Sequence, residues 1–311
     1  MILLTGGAGF IGSNVLAALN DSGRDDVIVV DDLRDGTKCA NLMGRGFADY
    51  LDATELVAAT ERLPRLSAIL HQGACVDTTA RDGRAVMEAN YTFSKRMLDL
   101  ARRHGCPLVY ASSAAVYGSG AAGFREEPAC ERAATPYAFS KWAFDQHVRR
   151  AGPQGVPVVG LRYFNVYGPG EGHKGRMASV PWHCFQQVRR GEPPRLFEGS
   201  DGFVRDFIYV ADVAAVNLFF LAEAAAGHDP SGIYNVGTGA PRSFGDLGRI
   251  VSRVSGGPAP VTIPFPDDLR GQYQAYTCAD VARLRRVGWD RPFTSLEDGI
   301  AAYWRASGTA G

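Results

Sequence analysis

The sequence predicts an α/β protein: a Rossmann-type doubly wound parallel sheet joined to a smaller mixed α/β substrate domain. Two observations carry this. Short apolar, β-rich runs alternate with amphipathic helical segments through the first half of the chain, and a glycine-rich turn separates the first run from the first helix. The strand candidates are Ile2 to Thr5, Val27 to Asp31, Ala68 to His71, Leu108 to Ser112 and Val156 to Arg162. Between them, Ile11 to Leu19, Val86 to Arg103 and Tyr137 to Arg150 carry apolar residues at three-and-four spacing, as crossover helices packed on a sheet require. After about residue 165 the alternation weakens, and Asp206 to Val210, the helical Val213 to Ala225 and Ile233 to Val236 are expected to return to the sheet. Glycine and proline cluster at Gly168 to Gly175 and at Gly256 to Pro266, which read as loops. The expected division is a dinucleotide-binding domain over 1–165 with return segments at about 205–239, and a substrate-binding domain over about 166–204 and 240–311. The substrate should sit between the two parts, across the C-terminal ends of the strands.

The 311 residues suffice for a large core without disulfides or metal. Lys plus Arg and Asp plus Glu number 33 each, so no global positive field exists to hold a polyanion, and nucleic acid is not an expected partner. The six cysteines are scattered without a CxxC pair, as free thiols in a reducing compartment would be. With no leader-like start and no apolar run of membrane-spanning length, the expectation is a cytoplasmic protein with no membrane partner. Only Lys38, Lys95, Lys141 and Lys174 are lysines, against 29 arginines, so each lysine poses the question of why it is not arginine.

Gly6, Gly9 and Gly12 stand at three-residue spacing between the first strand and a helix beginning near Phe10. Glycines there permit a tight turn and close backbone approach to a pyrophosphate, with the free N–H groups of the helix start facing it. Asp31, about 20 residues on at the end of the second strand, is placed to accept hydrogen bonds from the adenosine ribose. Asp32 adds a carboxylate that would repel a 2′-phosphate, while Arg34 and Lys38 would attract one, so NAD and NADP both remain open. A turn residue at a strand end is the plain structural alternative for Asp31.

Tyr137 and Lys141 are four apart behind Pro136, which suits a first helical turn, so both share one helix face. An ammonium near a phenol favours phenolate, which predicts a lowered tyrosine pKa and a group able to exchange a proton with a carbinol. Upstream, Ser112-Ser113-Ala114-Ala115-Val116-Tyr117-Gly118 ends a buried strand with small hydroxyl residues.

The glycine loop, this strand end, the YxxxK pair and the run Arg162-Tyr163-Phe164-Asn165-Val166-Tyr167-Gly168-Pro169 together resemble the extended short-chain dehydrogenase/reductases, which act mostly on nucleotide-linked sugars. The resemblance implies that Ser113 hydrogen-bonds the reacting hydroxyl, Tyr137 is the acid/base and Lys141 holds the nicotinamide ribose. Dehydratases of that family carry an acidic pair where this chain has Ala114 and Ala115. Without those carboxylates elimination lacks its acid and base, which favours epimerisation by oxidation and re-reduction.

Glu171-Gly172-His173-Lys174-Gly175-Arg176-Met177-Ala178-Ser179 and Leu196-Phe197-Glu198-Gly199-Ser200 resemble the ADP-glycero-manno-heptose 6-epimerases of lipopolysaccharide-core synthesis within that family. That likeness implies an ADP-heptose substrate, NADP as cofactor and a homo-oligomer, specifically a homopentamer. It also makes Lys174 a second proton carrier, a role arginine cannot fill because it does not deprotonate in proteins. It further implies that Phe10, Ile11, Gln72, Gly73, Ala74, Cys75, Val76, Asn90 and Val166 lie along the cofactor. Asn165, Arg176, His183, Phe197 to Ser200, Arg205 and Tyr273 are then expected to contact substrate. His183 reads equally as a satisfied helix histidine. Departures from the pattern are Asp32 for asparagine, Ala53 for a lysine that helps bind a 2′-phosphate, Gln72 for glutamate and Gly170 for arginine. The first two weaken the NADP expectation, leaving at most a modest preference. UDP-hexose 4-epimerase is the competing enzyme reading, and a non-catalytic nucleotide-binding subunit or sensor the competing class.

Overall fold

The computed structural model describes residues 1–152, 155–266 and 274–308. In chain order the first strands and helices are β1 (Ile2–Thr5), α1 (Phe10–Asp21), β2 (Val27–Asp31), β3 (Asp49–Asp52), α2 (Leu56–Ala59), β4 (Ala68–His71), α3 (Gly83–Met87), α4 (Phe93–His104), β5 (Leu108–Ser113), α5 (Pro136–Ala151) and β6 (Val158–Tyr163). They are followed by β7 (Asn165–Tyr167), α6 (Val180–Arg189), β8 (Arg195–Phe197), β9 (Val204–Arg205), β10 (Phe207–Tyr209), α7 (Val210–Ala225) and β11 (Gly232–Val236). The chain then forms β12 (Arg242–Ser243), α8 (Phe244–Ser255), β13 (Val261–Ile263), α9 (Ala282–Arg286) and α10 (Leu296–Gly308).

A seven-stranded sheet runs in the order β11-β6-β5-β4-β1-β2-β3 with every pairing parallel. Its central strands are buried on both faces, which is why they are near-continuous apolar runs in the sequence. Alternate residues feed two cores. Ile2, Leu4, Val27 and Val29 join Leu16 and Leu19 of α1 and Val216 and Phe220 of α7 on one face. On the other, Leu3, Ile28 and Val30 join Met97 and Leu98 of α4 and Phe144 of α5. The order reverses between β1 and β4, so the crevice at the strand C-termini opens there. A third core packs Phe185, Phe207, Leu247, Ile250, Ile300 and Tyr303 from α6, β10, α8 and α10.

The predicted doubly wound sheet is therefore present, with four corrections of detail. The segment Val86 to Arg103 is not one helix: α3 and α4 are joined by a π-helical turn over Glu88–Thr92, which brings Asn90 inward. Asp206 to Val210 does not return to the large sheet. Its strand β10 pairs with β7 in a separate two-stranded sheet, and Val210 already begins α7. Within the expected loop 256–266, Val261–Ile263 forms β13 against β8. The edge strand β3 was not anticipated.

Beneath β5 lies a buried ionic cluster. Arg162 on β6 is fully buried and donates to Asp145 of α5 through Nε (2.9 Å) and Nη2 (2.8 Å) and to Glu131 (2.5 Å). Asp145 also accepts from the Tyr110 and Ser112 hydroxyls of β5 at 3.0 Å each. The cluster thus locks α5 to the strand that ends at Ser113.

Candidate active site

A cavity of about 700 Å³ opens at the C-terminal ends of the strands. Its floor is the turn after β1. Gly6 has φ +70°, and a Cβ built on Gly12 would lie 2.0 Å from the Gly6 carbonyl oxygen, so only glycine permits this packing of α1 on the turn. The N-cap of α1 is Gly9, with no side-chain cap. The N–H groups of the first turn are thus left for an anion such as a pyrophosphate, at the positive end of the helix dipole.

At the end of β2, Asp31 is held rigidly. Its Oδ2 accepts from the Ala8 N–H at 2.8 Å, and its Oδ1 accepts from the Asp32 N–H at 2.7 Å and from Lys38 Nζ at 2.6 Å. Asp32 is not among the residues that line the cavity, and it pairs with exposed Arg34. Both cations that the sequence offered to a 2′-phosphate are thus already matched by carboxylates. A nicotinamide dinucleotide fits these residues: the uncapped helix start suits the diphosphate, and Asp31 has the acceptor chemistry for ribose hydroxyls.

Tyr137 and Lys141 enter the cavity from the first turns of α5, whose start is fixed by Pro136 and by the Thr135 hydroxyl accepting from the Ala138 N–H at 3.1 Å. Lys141 Nζ donates to the Ala111 carbonyl at 2.9 Å. Burial lowers the Lys141 pKa to about 8, against the opposing pull of the Asp145 charge. The expected lowering of the Tyr137 pKa by its lysine neighbour is not found. Burial pushes the phenol up, and its hydrogen bond with Ser113 counters this only in part. Ser113 Oγ accepts from the Ala115 N–H at 3.1 Å, which fixes the hydroxyl at the strand end.

The remaining wall is the turn over Gly172–Met177, and it carries Lys174. This segment is tied to the glycine-loop side of the cavity, because Asn14 donates to the Pro169 carbonyl at 2.9 Å while Asn41 donates to the Gly170 and Ala8 carbonyls at 2.9 and 3.0 Å. Lys174 Nζ lies 5.0 Å from the Phe10 ring centroid and 3.7 Å from Oε2 of the fully buried Glu171. Burial lowers its pKa, and Glu171 opposes that.

Of the sequence-predicted residues, the cavity brings together Gly6, Gly9, Phe10, Ile11, Gly12, Asp31, Lys38, Gln72, Gly73, Ala74, Val76, Ser113, Tyr137, Lys141, Asn165, Val166 and Lys174. Asn90 and Cys75 stand behind the lining. Asn90 Oδ1 accepts from the Cys75 N–H at 2.7 Å and its Nδ2 donates to Ser140 Oγ at 2.9 Å, so it clips the loop after β4 to α5. Arg176 is drawn off to Thr79 (2.7 Å) and Asp77 (3.5 Å) on the surface. His183 sits on α6 with its ring edge-on to Trp182, Phe197 ends β8 and Glu198 to Ser200 follow it, none of them in the lining. Arg205 is buried on β9 with its guanidinium 5.5 Å from the ring of Phe244, a residue that does line the cavity. Tyr273 lies outside the described residues. Sequence reasoning missed Asn14, Asn41 and the anchoring role of Glu171. Asn14 and Asn41 bond main-chain carbonyls of a distant segment, and Glu171 reaches Tyr303 across 132 residues, contacts that no local motif signals.

A profile described as the NAD dependent epimerase/dehydratase family matches residues 2–237. Among solved structures, the chain is similar to UDP-glucose 4-epimerase of Thermus thermophilus in complex with NAD at 32% identity, covering 100% of this chain and 99% of that one with a TM-score of 0.83. ADP-L-glycero-D-manno-heptose-6-epimerase of Helicobacter pylori matches at 28% identity over 99% of this chain and 96% of that one, with a TM-score of 0.85. UDP-glucose 4-epimerase of Thermotoga maritima, with UDP-glucose, matches at 29% identity over 98% and 97%, with a TM-score of 0.83.

Proposed function

The chain belongs to the NAD dependent epimerase/dehydratase family, and from that membership we propose that it is a nucleotide-sugar epimerase that inverts C6 of the heptose in ADP-glycero-manno-heptose. The observation that carries this reading is Lys174. It is a mostly buried lysine with its pKa lowered by burial, on a different wall of the same cavity that holds Tyr137. Inversion at a side-chain carbon that presents first one face and then the other benefits from a proton carrier on each, and these two groups supply that.

In this reading Tyr137 exchanges a proton with the C6 oxygen on one face and Lys174 on the other. The Ser113 hydroxyl donates to that oxygen and orients it. Lys141, held on the Ala111 carbonyl, anchors the ribose next to Tyr137. A nicotinamide cofactor, when bound, would supply reversible hydride acceptance. Matched charges at Asp31–Lys38 and Asp32–Arg34 support NAD over NADP, contrary to the modest NADP preference expected from resemblance. The substrate would lie between the large sheet and the parts built from residues 166–204 and 240–308. We extend the reading to a cytoplasmic, homo-oligomeric enzyme of lipopolysaccharide-core precursor synthesis.

A UDP-hexose 4-epimerase is the second reading, favoured by the identity to the Thermus enzyme. It leaves Lys174 without a task, since a 4-epimerase turns one ketone past one tyrosine. Incubation with ADP-D-glycero-D-manno-heptose and, separately, UDP-glucose, followed by NMR of the product, decides between them. Inversion at C6 of the heptose is the expected result. Inversion at C4 of the hexose with an unchanged heptose would overturn the proposal.

A further inference from the structure

Glu171 is a carboxylate with no exposure at all, and the two-carrier reading does not use it. One oxygen accepts from the Ser179 N–H at 2.6 Å; the other accepts from the Ser179 hydroxyl at 2.5 Å and from the Tyr303 hydroxyl of α10 at 3.2 Å. These contacts fix the carboxylate from two separate segments. The first oxygen also lies 3.7 Å from Lys174 Nζ, one helical turn further along the strap. A buried carboxylate without a cation carries a heavy desolvation penalty, so its presence here calls for a partner. Among the described residues, Lys174 is the cation that forms an ion pair with it.

We propose that Glu171 is the positioning residue for Lys174: a rigid buried carboxylate that holds the ammonium at the cavity wall and stabilises its protonated form. The inference rests on the reading of Lys174 as a proton carrier. Burial favours the neutral amine of Lys174 and the Glu171 carboxylate favours the ammonium, so this contact sets the balance between its acid and base forms. Other charged groups surround the strap. Lys38, Asp31 and Asp35 act on the neighbouring His173, whose pKa burial lowers, while Lys174 itself feels Glu171 as its charged partner. Tyr303 stays a neutral phenol, driven up by burial and by Glu171.

The test is the pH dependence of Lys174 acylation by acetic anhydride, followed by peptide mass spectrometry in the wild type, Glu171→Gln and Glu171→Asp. The midpoint should fall by one pH unit or more in Glu171→Gln and by less in Glu171→Asp, whose charge remains but stands one methylene further back. The arm of the kcat–pH profile set by Lys174 should move the same way, whereas a merely structural role would lower kcat at every pH and leave the arm in place. An unmoved labelling midpoint overturns the inference. If Glu171→Gln does not fold, Glu171→Asp alone decides by the same criterion. Failure of the underlying reading is seen separately: Lys174→Met with wild-type turnover removes Lys174 from the reaction, whatever the labelling shows.

Discussion

Lys38 donates to the Asp31 carboxylate at 2.6 Å, so the one lysine beside the adenosine-ribose position is neutralised by the residue expected to read that ribose. The pair makes the pocket wall acidic and basic at once, with no excess positive charge for a 2′-phosphate.

The first prediction follows. NAD should bind at least as tightly as NADP in the wild type. In Lys38→Ala the Asp31 carboxylate loses its counter-charge and repels a 2′-phosphate, so the NADP affinity should fall by about tenfold or more, while NAD changes little. Titration of both cofactors by fluorescence checks this. Equal losses would mean that Lys38 serves only to order the loop.

Tyr137→Phe and Lys174→Met should each lose roughly 10²- to 10⁴-fold in epimerisation, the usual contribution of a positioned acid or base, without loss of fold. On a C6-aldehyde analogue, each variant should retain chemistry on the face its surviving group serves. Stereochemical analysis of the products reads this directly, and two variants handling the same face would show Lys174 to be misassigned.

His71 predicts an acid sensitivity. The Gly73 N–H donates to Thr5 Oγ1, which lies 2.6 Å from His71 Nδ1, and His71 Nε2 lies 2.8 Å from Ser94 Oγ, itself a donor to the Asn90 carbonyl. This chain needs a neutral ring with its proton on Nε2. Burial lowers the folded-state pKa to about 3 from 6.5. The unfolded chain therefore takes up the proton first, and the stability contributed by His71 is complete above pH 6.5 and lost as pH falls toward about 3. The loss is about 1.4 kcal/mol per pH unit at most. His104, His147 and His173 shift the same way, so the comparison is with His71→Gln, which should flatten the Tm–pH slope between pH 6.5 and 5. An unchanged slope would contradict the assignment.

Arg162→Leu should cost about 3–5 kcal/mol in urea unfolding, because Asp145 would be left buried without its ion-pair partner, whereas Glu131 keeps Arg149 at 2.7 Å. Adding Asp145→Asn should recover part of that loss. A double variant less stable than Arg162→Leu would show that the hydrogen bonds of Asp145 to Tyr110 and Ser112 outweigh its charge pairing.

Much of this was legible in the sequence where local rules decide. Strands buried on both faces are apolar runs, and the Tyr137–Lys141 spacing is a helical turn. What was not legible depends on distant partners. The edge strand β3, with sequence Asp-Tyr-Leu-Asp, lacks an apolar signature because only one neighbour covers it. The π-helical turn at Asn90 leaves three-and-four spacing almost unchanged. The destination of β10 could not be read from three residues, and Glu171 finds Tyr303 across 132 positions of chain.

The strand order also sets a timetable for synthesis. β6 pairs with β5 on one side and with β11 on the other, but the whole excursion from β7 through α7 separates β6 from β11 in the chain. A nascent polypeptide that has already emerged past Tyr163 therefore carries an apolar strand with one row of backbone N–H and C=O groups unpaired until Val236 leaves the ribosome. During that interval β6 is an open edge able to recruit a strand from another chain. Translational pausing within 164–231 should thus lower soluble yield more than pausing after 236, a vulnerability that belongs to the order of the strands and not to the stability of the finished fold.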